Sequence, residues 1–256
     1  MDGLRWHWLE SDHDSGPMQM AVDAALMDRA RATNEATLRV YGWRRPTLSF
    51  GRHESVRARF SAERLESLGV DAVRRPTGGR VLLHEGEVTY SVTAPAPANE
   101  SVRDGFARIN RLLMSALSRL GVGVAVAPRG RALRPGADAC FAEPSAGELT
   151  LNGRKLVASA QLRDQGALLQ HGSILLVDCQ VRIAELASAP IATPQPGATL
   201  EGALGRPVTR HEVRDALRAA LEAEVGPVEA LNADAMAEAA RPLLAKYLDP
   251  EWTWRR

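Results

Sequence analysis

Between Thr37 and Thr93 the chain offers strand after strand and one short helix, and this order constrains its fold more than any other feature. Thr37–Tyr41 and Thr47–Gly51 flank the turn Trp43-Arg44-Arg45-Pro46, and Asp71–Arg75, Val81–Leu83 and Val88–Thr93 follow. In the last of these Val88, Tyr90 and Val92 alternate, as a half-buried strand requires. Ser61 is placed to cap the single intervening helix, which ends at Gly69. Strands in runs with few helices between them predict an α+β fold with mixed or antiparallel sheets flanked by helices, not a doubly wound parallel sheet.

The rest of the chain extends this reading. Arg5–Leu9 is a short strand candidate, and Ser15-Gly16-Pro17 opens a helix with Pro17 in its first turn. Over Val102–Leu120 the residues Phe106, Ile109, Leu113, Leu117 and Leu120 share one face of a helix that Gly121 ends. Glu148–Leu151 and Arg154–Ala158 form a hairpin about Asn152-Gly153, and Gln161–Gln170 and Ser173–Val177 continue the sheet. The segment Ala189–Gly205 is rich in Pro, Ala and Gly and reads as linker. Thr209 and Glu212 make a capping box, and a last helix spans about Ala233–Tyr247. The expected division is a catalytic core over 1–188, a linker over 189–208, and a short helical C-terminal segment over 209–256 packed on the core.

Composition excludes several classes. With 45% hydrophobic and 25% charged residues the chain is ordinary globular material, and a net charge of +1 argues against binding nucleic acid through bulk electrostatics. No apolar run approaches the roughly 18–20 residues that span a bilayer. The acidic, aromatic N-terminus lacks a signal-peptide core, and two cysteines are too few for a disulfide framework, so a reducing cytoplasmic setting is expected.

Four clusters carry potential chemistry. Arg74-Arg75-Pro76-Thr77-Gly78-Gly79-Arg80 ends a strand in paired glycines, where backbone can approach a ligand closely, and His84 returns toward the same region. Cys140 sits in the Gly/Pro-rich loop Pro128–Gly147, whereas Cys179 at a strand end reads as a small buried hydrophobe. Of the 32 Lys and Arg residues only Lys155 and Lys246 are lysine, and Lys155 lies inside an apolar strand. An amine can exchange a proton where arginine cannot, so a thiol and this amine in contact form a workable acyl-transfer pair. Small residues in Ala158-Ser159-Ala160-Gln161 and Gln170-His171-Gly172-Ser173-Ile174 leave room for a ligand between strands. No zinc spacing, P-loop or G-x-S-x-G is present.

In order and spacing, Arg74–Gly79 with His84, Gly153–Ala160, and Gln170–Leu175 resemble the biotin/lipoate protein ligase superfamily over roughly residues 35–180. Ala139-Cys140-Phe141, with Pro144-Ser145 and Glu148-Leu149, resembles its octanoyltransferase branch described in Gram-positive bacteria. That resemblance implies a cysteine acyl-thioester on Cys140, with Lys155, fifteen residues downstream, as its catalytic partner. It implies octanoyl-acyl carrier protein as donor and a lysine of a lipoyl-accepting protein, glycine-cleavage H protein or a dehydrogenase E2 lipoyl domain, as acceptor. Neither ATP nor a metal is then needed, and no nucleic acid or membrane takes part. The substrate-binding residues expected are Arg75, Thr77, Gly78, Gly79, Arg80, His84, Ala158, Ser159, Ala160, Gly172, Ser173 and Ile174. Arg52, Arg57, Arg59, Arg74 and Arg75 are expected as a basic rim facing the acidic carrier. The competing readings are an ATP-dependent lipoate-protein ligase, a lipoyl amidotransferase, and a non-catalytic carrier-binding module. Ala158, where many relatives have glycine, Arg80 beside the glycine pair, and Gly147 depart from the family pattern.

Overall fold

The structure, a computed structural model, describes residues 3–128 and 147–255. The first half runs β1 (Trp6–Asp14), α1 (Gly16–Thr33), β2 (Ala36–Trp43), β3 (Thr47–Phe50), α2 (Ala62–Ser67), β4 (Asp71–Arg74), β5 (Leu82–His84) and β6 (Glu87–Pro95). Then come α3 (Val102–Arg119), β7 (Ala125–Val126), β8 (Leu149–Leu151), β9 (Arg154–Asp164) and β10 (Ala167–Leu175). The last part is helical apart from β11 (Glu229–Ala230): α4 (Ile183–Leu186), α5 (Leu200–Leu204), α6 (Arg210–Val225), α7 (Ala233–Leu248) and α8 (Pro250–Thr253).

Local signals set most boundaries. Ser15, Ser61 and Ser101 each accept a backbone N–H at the start of α1, α2 and α3, and Thr209 with Glu212 closes the capping box of α6. Asn34 ends α1 in the left-handed region. Asn152 and Gly153 both have positive φ, the turn that suits the twist of the β8–β9 hairpin. The sheet was expected to continue through Gln161–Gln170, but the chain reverses inside that span at Gln165-Gly166, again with φ positive at both residues. One hairpin of β9 and β10 therefore replaces two separate segments.

Two sheets result, an eight-stranded one ordered β11-β1-β2-β6-β10-β9-β8-β7 and a three-stranded one ordered β4-β3-β5. In the large sheet β1 runs parallel to β2 and β11, and β2 through β7 pair antiparallel; in the small one β3 is parallel to β4 and antiparallel to β5. The fold is mixed α+β, as expected. One face of the large sheet packs Val40, Tyr90, Val92 and Ile174 against Ile109, Leu113 and Leu117 of α3 and Val213, Leu217 and Leu221 of α6. The opposite face is covered by α1 and α7, where Leu9, Met20, Leu26, Tyr41 and Trp43 meet Ala240 and Tyr247. Leu48, Phe50, Phe60, Leu65 and Leu83 form a separate core beneath the small sheet.

The stretch read as linker carries α5 and buries Ala198 and Leu200, and Ala198 N donates to the carbonyl of Lys155 at 2.8 Å. Residues 249–255 return to the small sheet, where Trp254 lies edge-on to Phe50. No helix among the described residues is long and apolar enough to cross a membrane.

Candidate active site

Between the two sheets lies a cavity of about 570 Å³. Its floor comes from β9, β10, β6 and β2, and its rim from residues 53–55 and the turn Arg75–Arg80. The turn closes tightly over the end of β3. A Cβ on Gly51 would lie 1.8 Å from the carbonyl oxygen of Gly79, and Gly79 itself has φ +94°, so glycine is required on both sides of this approach.

Arg75 shapes the turn from inside. Its guanidinium donates to the carbonyls of Gly78 (3.1 Å) and Arg80 (2.8 Å), to the Ser49 carbonyl (2.7 Å) and to Ser49 Oγ (2.6 Å). Because arginine only donates, Ser49 Oγ accepts that bond and gives its own proton to His84 Nε2, 2.7 Å away. The network therefore assigns the His84 proton to Nδ1, which donates to Glu87 Oε1 at 2.7 Å. Burial would raise the Glu87 carboxyl, but His84 and hydrogen bonds from His84, Ser173 and Thr89 hold it below the usual carboxylate range.

A second chain of the same kind holds the turn from the other side. Thr77 Oγ1 lies 2.6 Å from His171 Nε2, and His171 Nδ1 lies 3.1 Å from Asp23 Oδ2. Burial pushes the His171 imidazole below its ordinary value despite the facing carboxylate, so the ring is neutral, donating to Asp23 and accepting from Thr77. Asp23 is fully buried on α1; desolvation would raise it, but Arg39 (2.6 Å), His171 and Ser91 (2.8 Å) hold it down.

At the far end of the floor Lys155 Nζ pairs with Glu148 Oε2 at 2.7 Å, with the two side chains 1% and 6% exposed. Glu148 immediately precedes β8 and Lys155 is the second residue of β9, so the Asn152-Gly153 hairpin brings the pair together. An ion pair this deeply buried is retained only with close geometry, and here it lines the cavity wall.

Of the residues expected from sequence, Arg75, Gly78, Gly79, Arg80, His84, Lys155, Ala158, Ser159, Ala160, Gly172 and Ser173 line this one cavity. Thr77 does not; it is buried under the turn, bonded to His171. Ile174 points to the opposite face of the sheet, into the core with α3 and α6, because strand alternation sends it away from Ser173. Cys140 lies outside the described residues. The expected basic rim is corrected at Arg74 and Arg75, which are buried and donate to backbone carbonyls; Arg59 pairs with Glu54 at 2.9 Å, and Arg57 is exposed, 3.5 Å from Glu251. Sequence reasoning missed Met20, Tyr41, Trp43 and Thr89, which also line the cavity; Gln161, named in the Ala158–Gln161 segment, lines it too. Asp23 carried a signal, a carboxylate four residues past Gln19 on the apolar face of α1.

The arrangement of sheets and helices is that of the solved lipoate-protein ligases. A solved lipoate-protein ligase A bound with ATP superposes with a TM-score of 0.80 at 20% identity, covering 98% of this chain and 99% of that one. The bi-partite lipoate protein ligase of Thermoplasma acidophilum gives 0.78 at 19% identity, covering 98% and 96%. At such identities the likeness concerns the fold alone. The family model for the lipoyl protein ligase A/B catalytic domain matches residues 15–222, and the chain belongs to that family. Among curated proteins it is 37% identical to an octanoyltransferase LipM of Kyrpidia tusciae, over 98% of this chain and 99% of that protein. It is 37% identical to one of Symbiobacterium thermophilum, over 86% of each. The relative from Brevibacillus brevis, also named octanoyltransferase LipM, is 30% identical over 98% and 99%.

Proposed function

We infer that the chain is an octanoyltransferase of lipoate biosynthesis, moving an octanoyl group from acyl carrier protein to a lysine of a lipoyl-accepting protein through a thioester on Cys140. The observation that carries this reading is the buried Lys155–Glu148 pair in the wall of the interlayer cavity, in a chain whose full-length relatives bear the name octanoyltransferase.

The proton inventory closes without a cofactor. The Lys155 ammonium favours the Cys140 thiolate, which attacks the carbonyl carbon of the donor thioester. Backbone amides near Ser159–Ala160 stabilise the tetrahedral oxyanion. Its collapse breaks the bond to the carrier sulfur, which takes a proton from Lys155. The acceptor amine then attacks the Cys140 thioester and passes a proton to the neutral Lys155, and Cys140 departs as thiolate. Glu148 holds the amine in place through both steps. Thioester is exchanged for amide, a downhill change that requires neither ATP nor metal. A reducing cytoplasm keeps Cys140 as a thiol.

The test is incubation of the purified chain with octanoyl-carrier protein in the absence of ATP, followed by intact-mass measurement. An adduct of one octanoyl group is expected, absent from C140A, with onward transfer to an apo lipoyl domain. Undiminished transfer by C140A, or transfer that needs ATP, would replace the covalent reading with a ligase.

A further inference from the structure

The rung of residues that crosses the sheet beneath the cavity points to a length gauge. Register aligns Ala158 with Ser173, Ser173 with Thr89, and Thr89 with Tyr41, so one row runs across β9, β10, β6 and β2. Three of its four members are small or short. The row runs from the strand that carries Lys155 to the strand that carries Trp43, and neighbouring strands lie about 4.8 Å apart, so it spans roughly 14 Å. On the neighbouring row Val40 and Tyr90 point into the helical core on the other side.

The trough ends at an aromatic wall. Trp43, two residues beyond Tyr41 and on the same face of β2, donates Nε1–H to Thr89 Oγ1 at 2.8 Å. Its ring stacks on His84 at 3.9 Å between centroids and 22° between planes, and Tyr41 stands 5.8 Å behind it. Both Trp43 and His84 are buried, and His84 is fixed in turn by Glu87 and Ser49. A wall held by a hydrogen bond, a stack and a buried imidazole–carboxylate hydrogen bond does not swing aside. The polar groups along the trough are turned on one another: Thr89 onto Glu87 and Trp43, His84 onto Glu87 and Ser49, His171 onto Thr77 and Asp23. A hydrocarbon chain lying there breaks none of these bonds, so the trough accepts an apolar occupant at little desolvation cost.

We propose that Trp43 sets the length of the acyl chain that this protein transfers, by closing the far end of the Ala158–Ser173–Thr89 trough in the cavity that Lys155 also lines. This rests on the acyl-transfer reading above. A medium-length chain fits between the reacting carbonyl and the indole; a longer one meets the ring and must withdraw its carbonyl from Lys155.

The experiment compares hexanoyl, octanoyl, decanoyl and dodecanoyl carrier protein as donors for the wild-type chain, W43F and W43A, reading kcat/KM for each. W43F keeps a ring against His84 and serves as the mild variant, and thermal melting shows which variants fold. The ratio of dodecanoyl to octanoyl transfer is expected to rise about tenfold or more in W43A and less in W43F, with hexanoyl transfer little changed. Folded W43F and W43A that keep the wild-type length profile, or lose all four donors in equal proportion, overturn the gauge while leaving the transferase reading intact. A wild-type chain that transfers none of the four defeats the transferase reading itself, and the gauge with it.

Discussion

Thr77 Oγ1 and His171 Nε2 stand 2.6 Å apart although 94 residues separate them, and their bond fastens the glycine turn of the small sheet to the middle of the large one. Replacing His171 by Ala leaves Thr77 and the Asp23 carboxylate short of a partner, at a cost of about 1–3 kcal/mol by denaturant unfolding. The pH dependence has a definite sign. The folded His171 pKa lies below 6.5, so its contribution is full above that pH and is lost as pH falls through 6.5 toward the folded value. Asp23 acts in the same direction at lower pH, below 3.8. In H171N the loss that begins near pH 6.5 should vanish from a plot of melting temperature against pH, and the carboxylate part should remain.

Lys155 and Glu148 should separate stability from activity. Removing one partner takes the ion pair from a buried charge, so E148L or K155M alone is expected to cost about 3–5 kcal/mol. The double variant E148L/K155M should recover most of that stability, yet transfer should remain depressed about 10²–10⁴-fold, the usual scale for a lost acid–base group. Unfolding curves and single-turnover acyl transfer check the two halves independently.

Gly51 has no room for a side chain. In G51A the Gly79 carbonyl must move away from the β3 end, carrying the turn with it. A displacement of about 1 Å in a positioning element costs on the order of 10²-fold in rate, so kcat/KM should fall far more than the melting temperature.

Arg74 ties residues 253–255 to the cavity rim. Fully buried, it donates to the carbonyls of Gly51 (2.6 Å), Glu54 (2.9 Å), Thr253 (3.0 Å) and Arg255 (2.8 Å). A lysine ammonium cannot reproduce that fork, so R74K should lose about 1–3 kcal/mol for each carbonyl left dry. Faster hydrogen exchange is expected at the amides of Arg52 and Glu54, which bond to Thr77 and Gly51 in the wild-type rim.

What could be read from sequence followed how local each signal was. Ser15, Ser61, Thr209 and Asn152-Gly153 act within a few residues, and each stands where it was expected. The glycine turn, His84, Lys155 and Ala158–Ala160 were legible because their residue types are unusual in their settings. Trp43 and Tyr41 were not, because all eight residues of β2 are buried and its sequence reads as plain core. Only the register between β2 and β6 shows that their side of the strand bounds the cavity. Arg74 and Arg75 misled for the opposite reason. Adjacent arginines suggest a surface, and nothing local reveals that their partners are carbonyls from residues 49–54, 78–80 and 253–255.

The reach of Arg74 also orders events in time. Two of the carbonyls it donates to belong to residues 179 and 181 positions further along the chain. Domains begin to fold while the ribosome is still adding residues. A nascent chain can pair its strands and form the glycine turn early, but the 51–57 rim stays without its brace until residues 249–255 emerge. The cavity rim is thus finished only once residues 249–255 have been made, and a chain that stops short of them does not present a completed site to its substrates.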